Sequence, residues 1–451
     1  MERYQLSKEL AGAILAQAKR QGATAGDVGM VEGESLFVTV RLGEIDKISQ
    51  SREKRLGLRL FRGTSSATAS TSDISQAAID KLIDDTLAMA SATAPDEYSG
   101  LPAAEDLVCE PPDLDLVDDR ASGVEVEEKI RLAREAEASA LSMDSRIVNS
   151  EGAEFSNHLQ RVIYASSLGF AGEYRSTMFG LSVAPVAGEN GAMQRDSWYS
   201  MKRKFAELER PEVVGQKAAQ RALRKLGAKK VTTRDVPVVF DAETGASLLR
   251  HISSAVSGYS LYKKASFLFG KLGQKIASDR LTVVDDGTMP GALGSRPFDG
   301  EGMASRRNVV IEKGVLRSYL LDTYSAKKLG QRSTGSAARS VGGPPVVAPT
   351  NFYLLAGPYA PEEILQSVDE GFYVTDLIGF GVNLVTGDYS RGASGFWIEK
   401  GKLSYPVEEV TIAGNLQEML NDIDMVGNDL EMRNRTCSPT IKLSRMTVAG
   451  N

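Results

Sequence analysis

Histidine and cysteine, which most often bind metals or act with nucleophiles, are scarce in this chain. There are two histidines, His158 and His251, and two cysteines, Cys109 and Cys437, all far apart in sequence. The chain therefore cannot build a three-histidine metal site by itself. Nothing is spaced like Gly-x-Ser-x-Gly between a strand and a helix with a histidine to accompany it, so nucleophilic serine catalysis is not predicted.

Two adjacent carboxylates, Asp285 and Asp286, follow a predicted strand and precede a Gly-rich turn. Such a pair could bind a cation or act as acid and base. Successive strand residues point to opposite faces, however, so cooperation between the two is not implied. The sequence favours a structural turn in which Asp286 accepts hydrogen bonds from backbone N–H groups.

A Gly- and Ser-rich loop spans residues 332–345. It lacks the spacing of a phosphate-binding loop, and no helix pattern follows it. Its backbone could pair with an extended peptide by strand addition. We therefore choose residues 332–351 as the substrate or partner surface. The candidate peptide- or partner-binding residues are Arg332, Ser333, Thr334, Gly335, Ser336, Arg339, Gly342 and Gly343.

Helical periodicity predicts the elements that hold these residues. The apolar positions around His251 recur at helical spacing, which predicts a helix ending near Gly258 with His251 at the edge of its apolar stripe. Four earlier helices are predicted at about residues 7–21, 75–90, 124–142 and 211–226. Strands are predicted at 36–42, 56–61, 160–165 and 177–183, with a possible edge strand at 65–72. Lys313-Gly314 and Lys400-Gly401 are predicted hairpin turns.

The pattern indicates an α+β protein with two domains. Residues 1–234 form an N-terminal mixed α/β domain with a sheet and flanking helices, and residues 235–451 form a β-rich C-terminal domain. The first domain divides into candidate subdomains 1–100 and 124–234, joined by an acidic, Pro-rich connection. A chain of 451 residues is too long for one ordinary core, which agrees with this division.

Composition narrows the functional classes. The net charge of −6 argues against a general nucleic-acid binder. The basic run at residues 202–234 is interpreted as a solvated helix face before the domain junction. The N-terminus predicts an amphipathic helix rather than a signal peptide, and no apolar run approaches membrane-spanning length. Two distant cysteines fit a reducing cytoplasm, so a cytoplasmic protein is expected.

Several motifs in the C-terminal half resemble the TldD/PmbA family. They are 283–291 (VVDDGTMPG), 298–302 (FDGEG), 307–314 (RNVVIEKG), 381–390 (GVNLVTGDYS), 394–399 (SGFWIE) and 408–416 (EEVTIAGNL). These motifs cover most of the C-terminal half, and the N-terminal half has the general layout of the family.

The resemblance also indicates the branch of the family. The TldD branch is a zinc metalloprotease whose helix carries a His-Glu-x-x-x-His motif, in which two imidazoles bind the metal and the Glu is the general base. When His251 is aligned with the first His of this motif, Ile252 stands at the position of the Glu and Val256 at the position of the second His. The chain thus resembles the PmbA branch, also called TldE, and no catalytic residue is assigned to it.

The same resemblance implies a residual metal site at most. Cys437 falls in the region where the protease branch carries a third ligand, so His251 and Cys437 are candidates for a vestigial site. Their alternatives are a packed imidazole and a buried, unliganded thiol. No cofactor is expected in this chain, and zinc is expected in the TldD-type partner.

The resemblance implies a non-catalytic subunit of a TldD/TldE-type protease that cleaves unfolded or leader peptides. The expected partners are a TldD-type metalloprotease subunit and a peptide substrate, and a homodimer is possible when the chain is alone. Binding to nucleic acid or to a membrane is not expected. Two alternatives stay open: an independent metallopeptidase with a reduced site that includes carboxylates such as Asp285, and a regulatory binding protein of the gyrase-modulator type.

Overall fold

One antiparallel sheet organises the N-terminal part of the protein. The computed structural model describes residues 5–450. The sheet order is β3-β2-β1-β4-β5-β6, and β7 also pairs with β5. Its strands are β1 (Ala25–Arg41), β2 (Glu44–Arg62), β3 (Ser65–Thr71), β4 (Ile147–Ser166), β5 (Ala171–Glu189), β6 (Ala192–Arg195) and β7 (Trp198–Lys202). Because β1 pairs with β4, residues 1–100 and 124–234 share this sheet.

Four helices cover one face of this sheet, where the sequence predicts them. They are α1 (Lys8–Arg20), α2 (Gln76–Ala92), α3 (Val126–Leu141) and α4 (Pro211–Leu223). Ser7 and Ser75 cap the first two helices by accepting hydrogen bonds from backbone N–H groups, and Pro211 begins the fourth. Helices α1 and α2 pack over one end of the sheet, and α3 and α4 pack over the other.

The C-terminal part contains two larger sheets with a helix between them. A six-stranded sheet has the order β17-β16-β15-β8-β20-β18, a five-stranded sheet has the order β11-β10-β9-β14-β19, and β12 pairs with β13. The strands are β8 (Arg234–Phe240), β9 (Val283–Asp286), β10 (Arg307–Glu312), β11 (Val315–Leu316), β12 (Ala337–Ala338), β13 (Val346–Val347), β14 (Phe352–Leu354), β15 (Glu370–Ile378), β16 (Asp388–Glu399), β17 (Lys402–Asn415), β18 (Ile423–Val426), β19 (Thr436–Cys437) and β20 (Ile441–Ala449).

The helix that carries His251 lies in the core of this part. The helices are α5 (Ala242–Ala255), α6 (Gly258–Tyr262), α7 (Thr323–Leu329), α8 (Pro361–Gln366) and α9 (Leu416–Asn421). Asp241 caps α5 by accepting a hydrogen bond from the Thr244 backbone at 2.8 Å. Helix α5 contacts strands of both larger sheets. The mixed helices and sheets confirm the α+β class.

Three sequence predictions are wrong in detail. Strands predicted over six or seven residues are parts of β1, β2, β4 and β5, which run for 17 to 20 residues. Glycines and polar residues on one sheet face break the apolar alternation, so only the apolar stretches are recognisable in the sequence. The helix around His251 ends at Ala255 instead of Gly258, which begins α6.

The third wrong prediction concerns the basic run, which is not a solvated helix face. Arg221 and Lys225 pair with the buried carboxylate of Asp196 at 3.2 and 2.9 Å, and Lys225 also pairs with Asp376 at 2.8 Å. Since Asp376 belongs to the C-terminal part, these cations connect the two halves of the protein. Within residues 5–450, no helix is both long and apolar enough to cross a membrane.

Candidate functional site

A cleft lies between the helix-free face of the N-terminal sheet and the C-terminal part. Side chains of alternate residues in β1 point to opposite faces. Val28 and Met30 therefore enter the helix-covered core, whereas Gly29, Val31 and Gly33 line a cavity of about 510 Å³. We call this cavity the cleft. The other wall comes from residues 293–300 and from the Gly- and Ser-rich loop.

The Gly- and Ser-rich loop closes over the edge of the N-terminal sheet. A Cβ atom placed on Gly57 would lie 1.6 Å from the Val341 carbonyl oxygen, so only glycine permits this approach. Gly342 lies beside Ser70, whose hydroxyl would be 2.7 Å from an added Cβ. Arg339 and Val341 line the cleft, which places part of the predicted surface at the cavity.

The remaining loop candidates hold the loop in place. Arg332 is exposed and pairs with Asp106 at 3.1 Å. The hydroxyls of Ser333 and Thr334 donate to the Leu321 carbonyl oxygen at 3.1 and 3.2 Å. Ser336 is buried at 2.9 Å from the Thr334 hydroxyl, and the Gly335 and Gly343 N–H groups bond within the loop. These residues shape the loop and do not line the cleft.

A buried cluster of charges joins the loop to the sheet. The Asp27 carboxylate, which has no exposed surface, accepts hydrogen bonds from Arg59 at 2.9 and 2.5 Å and from Arg339. Burial would raise the pKa of Asp27, but the two guanidinium groups outweigh it and hold this pKa below its usual value. Burial and then Asp299 raise the pKa of Glu301, 3.9 Å from Arg59, to about 7.

A serine and a histidine also lie in the cleft. Ser35 and His158 face each other across β1 and β4, and the Ser35 hydroxyl is 2.9 Å from His158 Nδ1. On its other side, His158 pairs with Met178, and its ring packs edge-on against Phe37. Burial lowers the pKa of His158, which favours the neutral imidazole. Neither strand neighbour is a carboxylate, so the strand pairing supplies no third member of a catalytic triad.

Three arginines in the cleft are not recognisable as a site from the sequence. Arg203, Arg296 and Arg435 come from segments far apart in the chain, yet all three line the cleft. Only Arg203 belongs to the basic run, whose interpretation as a solvated surface hides its role. No local pattern links the three, because the docking of the two parts brings them together.

Helix α5 places His251 at the edge of the apolar core. Its ring lies edge-on to Tyr389, with 6.0 Å between ring centroids, and its buried Nε2 atom has no hydrogen-bond partner among residues 5–450. Burial, followed by the charges of Arg391 and Arg250, lowers the pKa of His251 to about 4. The next residue, Ile252, is buried in the core.

Cys437 lies in a different environment from His251. It is a buried free thiol that donates to the Asn434 carbonyl oxygen at 3.0 Å. Burial raises its pKa, which favours the protonated thiol. With Arg250, it lines a second cavity of about 450 Å³, whereas His251 packs against Tyr389.

The residues present do not fit a catalytic zinc centre. Ile252 and Val256, at the positions of the general base and the second histidine, are 1% and 0% exposed and pack in the hydrophobic core. The Cys437 thiol already bonds to the backbone. Among residues 5–450, no group of three or more His, Cys, Asp or Glu side chains is placed to hold a metal ion. We therefore assign no chemical step to a metal on this chain.

The adjacent aspartates have structural partners. Asp286 Oδ1 accepts a hydrogen bond from the Thr288 N–H at 2.9 Å, as the turn prediction requires. Asp285 Oδ1 accepts from the Thr350 N–H at 2.6 Å. Burial raises the pKa of Asp285 to about 6. The two side chains thus tie β9 to its neighbouring loops in different ways, which agrees with the structural interpretation.

Comparison with known proteins identifies the family. The models of the PmbA/TldA metallopeptidase domain 1, central domain and C-terminal domain match residues 26–90, 119–226 and 233–450. The metalloprotease PmbA homolog of Haemophilus influenzae is 38% identical over 434 residues, which cover 96% of this chain and 94% of the relative. The metalloprotease TldD homolog of the same organism is 29% identical over 349 residues, or 72% of each chain.

Solved structures share the whole fold. A proposed modulator of DNA gyrase from Bacteroides thetaiotaomicron is 31% identical, with a TM-score of 0.91 over 98% of this chain and 99% of that chain. TldE from Thermococcus kodakarensis, at 22% identity, has the same fold, with a TM-score of 0.87 over 98% of this chain and 100% of that chain. Because a relative at 38% identity aligns along nearly the full length and the three domain models match in order, the chain belongs to the PmbA/TldD family of metallopeptidases.

Proposed function

We propose that this chain is a non-catalytic, PmbA/TldE-like subunit that pairs with a TldD-type zinc metalloprotease to cleave unfolded or leader peptides. The observation that carries the proposal is the burial of Ile252, in α5, and of Val256, directly after it, in the hydrophobic core of the C-terminal part. An aliphatic side chain can neither bind zinc nor accept a proton, so these positions stabilise the fold. In the complex, the partner supplies the zinc, its ligands and the general base.

The contribution of this chain is to hold the peptide. The cleft is enclosed by a sheet face and a loop, and its volume of about 510 Å³ admits a short extended segment more readily than a folded domain. The loop at residues 332–351 supplies one wall, which includes Arg339 and Val341. Exclusion of folded proteins would then follow from the size of the cleft.

The test is metal content and peptidase activity, measured for the chain alone, for a TldD-type partner alone and for the mixture. An unfolded protein and a leader peptide serve as substrates. We expect little zinc in the chain alone and peptide cleavage in the mixture. We also expect His251→Ala in this chain to leave cleavage by the mixture nearly unchanged, because His251 packs against Tyr389.

Size measurement on the same samples separates assembly from activity. A mixed complex should form in preference to the homodimer that a surface shaped for a homologous subunit can support. Stoichiometric zinc and cleavage by the pure chain, both lost in His251→Ala, would contradict the proposal and make this chain an independent metallopeptidase.

A further inference from the structure

Arg203, Arg296 and Arg435, which we call the arginine cluster, place three positive charges in the lining of the cleft. Arg203 follows β7, Arg296 follows β9, and Arg435 immediately precedes β19. Arg203 is 7% exposed, Arg296 is half-buried, and Arg435 is exposed. The cluster therefore extends from the interior of the cleft toward solvent.

Arg203 is fixed in place by backbone carbonyl groups, and no carboxylate within residues 5–450 forms an ion pair with it. Its Nη1 donates to the Thr177 carbonyl oxygen at 3.1 Å, and its Nη2 donates to the Leu293 carbonyl oxygen at 2.7 Å. These bonds orient the guanidinium group between the sheet and the C-terminal part. They satisfy N–H donors but leave the positive charge uncompensated, since a carbonyl carries only a partial charge. A buried charge of this kind is costly unless it has a counter-ion.

Arg296 lacks even these bonds. Its Nε and Nη2 atoms are buried and have no hydrogen-bond partner within the described part of the chain. The Asp299 carboxylate also lines the cleft, but its oxygens accept from the N–H groups of Glu301, Met303 and Ala337 at 2.8, 3.0 and 3.1 Å. Arg296 thus has two unused donors at the cleft, although the nearby Asp299 carboxylate offsets part of its charge.

The electrostatic environment favours the binding of an anion. Burial, followed by repulsion from Arg435, lowers the pKa of Arg203 to about 10. Burial raises the pKa of Tyr174, whereas the charges of Arg296, Arg203 and Arg435 all act to lower it, so all three guanidinium groups influence this one hydroxyl. A bound anion would relieve the repulsion between the like charges and accept the unused hydrogen bonds.

We propose that the arginine cluster binds a carboxylate of the peptide that enters the cleft. Arginine is suited to this role because its planar guanidinium group can donate two parallel hydrogen bonds to the two oxygens of a carboxylate. The half-buried ring of Tyr174, which packs on the buried Phe298 with 5.3 Å between ring centroids, also lines the cleft and offers an apolar contact to the adjoining side chain. The assignment of this carboxylate to a peptide rests on the proposed function.

Two sources of the carboxylate are compatible with this site, the C-terminus of the peptide and an acidic side chain. A phosphate of nucleic acid is less suitable, because the chain has a net charge of −6. The arginine cluster would thus select carboxylate-bearing peptides through side chains of this chain, and the proposed binding involves neither a metal nor a residue of a partner subunit.

The test is calorimetric titration of the purified full chain with three forms of one unstructured, uncharged hexapeptide that ends in leucine. The forms are the free acid, the C-terminal amide and the amide with one internal glutamate. We expect one or both carboxylate-bearing forms to bind about tenfold or more tightly than the plain amide, as a charge-assisted hydrogen bond is lost without the carboxylate. Preference for the free acid assigns the C-terminus, and preference for the glutamate form assigns a side chain.

Two variants locate the site. Arg296→Met keeps an unbranched side chain but removes the charge, and we expect it to abolish the preference. Because Arg296 also opposes the charge of the buried Asp299 carboxylate, thermal denaturation checks that this variant is folded. Arg435→Gln changes an exposed residue and should reduce the preference without affecting folding. Arg52→Gln, an exposed arginine paired with Glu34, is the control and should leave the preference intact.

Some results would overturn the inference. Equal affinity for all three peptides, or a preference that survives in both Arg296→Met and Arg435→Gln, would show that the cluster does not bind a carboxylate. Tighter binding of a single-stranded oligonucleotide, lost in Arg296→Met, would replace the peptide with nucleic acid. Binding is measured on this chain alone, so failure of the partner to activate cleavage would count against the proposed function and leave this test unaffected.

Discussion

Burial controls the protonation of the two side chains that the family resemblance singles out. It lowers the pKa of His251 to about 4 and raises the pKa of Cys437, so near neutral pH both groups are uncharged. A thiol must lose its proton to act as a metal ligand or nucleophile. At the residue scale, both side chains therefore behave as parts of the protein interior.

The two cysteines should differ in reactivity. Cys109 is exposed, whereas Cys437 is buried and donates its thiol hydrogen to Asn434. We expect iodoacetamide to label the folded chain once, at Cys109, and to label Cys437 only in urea. Peptide mass spectrometry measures both sites, and Cys109→Ser serves as the control that removes the fast reaction. Rapid labelling of Cys437 in the folded chain would instead indicate an accessible thiolate.

His251 should make stability depend on pH. Its pKa is about 6.5 when unfolded and about 4 when folded, so between these values the unfolded chain binds more protons. The contribution of His251 is complete above about pH 6.5 and is lost as the pH falls toward 4. We expect His251→Phe to remove this loss, and urea denaturation at several pH values across this range measures it.

Comparison with the parent chain isolates this effect of His251. Burial raises the pKa of Asp241 and of Asp285 to about 6, and both groups act in the opposite direction over this range. They are present in both proteins, so the difference in stability between the variant and the parent reports His251. A difference that does not change with pH would mean that the folded protein leaves the pKa of His251 near 6.5.

At the scale of elements, paired glycines on β1 and β2 have different tasks. Gly29 pairs with Gly57 in the strand register, yet the space around them differs. A Cβ atom added to Gly29 would have no heavy atom within 4 Å, whereas one added to Gly57 would collide with the Val341 carbonyl group. Gly57 thus permits the loop to pack on the sheet, whereas Gly29 leaves the cleft open.

Substitution of these glycines should separate the two tasks. We expect Gly57→Ala to destabilise the protein by about 1–3 kcal/mol, because the new methyl group collides with a backbone carbonyl and the loop must move. Gly29→Ala is the matched control and should be neutral or stabilising by up to about 1 kcal/mol, through reduced freedom of the unfolded chain. Thermal and urea denaturation measure both variants. Equal effects of the two substitutions would contradict this view of the loop.

At the scale of the whole molecule, Asp27 forms an ion pair with Arg339, which lies 312 positions further along the chain. It belongs to β1 and receives Arg339 from the C-terminal loop and Arg59 from β2. One carboxylate compensates two buried guanidinium groups, so its loss leaves both without their main counter-ion. This contact is therefore one of those that hold the two halves together.

Asp27→Asn should destabilise the protein by about 3–5 kcal/mol, the cost of removing one partner from a buried ion pair. It should also expose Arg339 to trypsin, since the loop loses its attachment. Glu34→Gln is the control: it breaks an exposed pair with Arg52 and should cost at most about 1 kcal/mol. Thermal denaturation and limited proteolysis measure the two effects. A fully protected loop in Asp27→Asn would show that other contacts hold it.

Local signals in the sequence determined much of the fold. The five longer helices follow from the spacing of apolar residues, and the structure confirms their positions to within a few residues. The turns at Lys313-Gly314 and Lys400-Gly401 are also confirmed, because each has two residues with positive φ, as a two-residue hairpin requires. The α+β class and the family resemblance followed from these signals and the C-terminal motifs.

Only the tertiary structure decided how the cleft is built. Arg203, Arg296 and Arg435 meet because the C-terminal part docks on the free face of the N-terminal sheet, and no local period encodes that docking. The sequence underestimates the length of β1 and β4 because the cleft face carries Gly29, Gly33 and Gln160 where a buried face would carry apolar residues. Periodicity reports which side of an element is buried, whereas the cleft depends on contacts between residues that are remote in sequence.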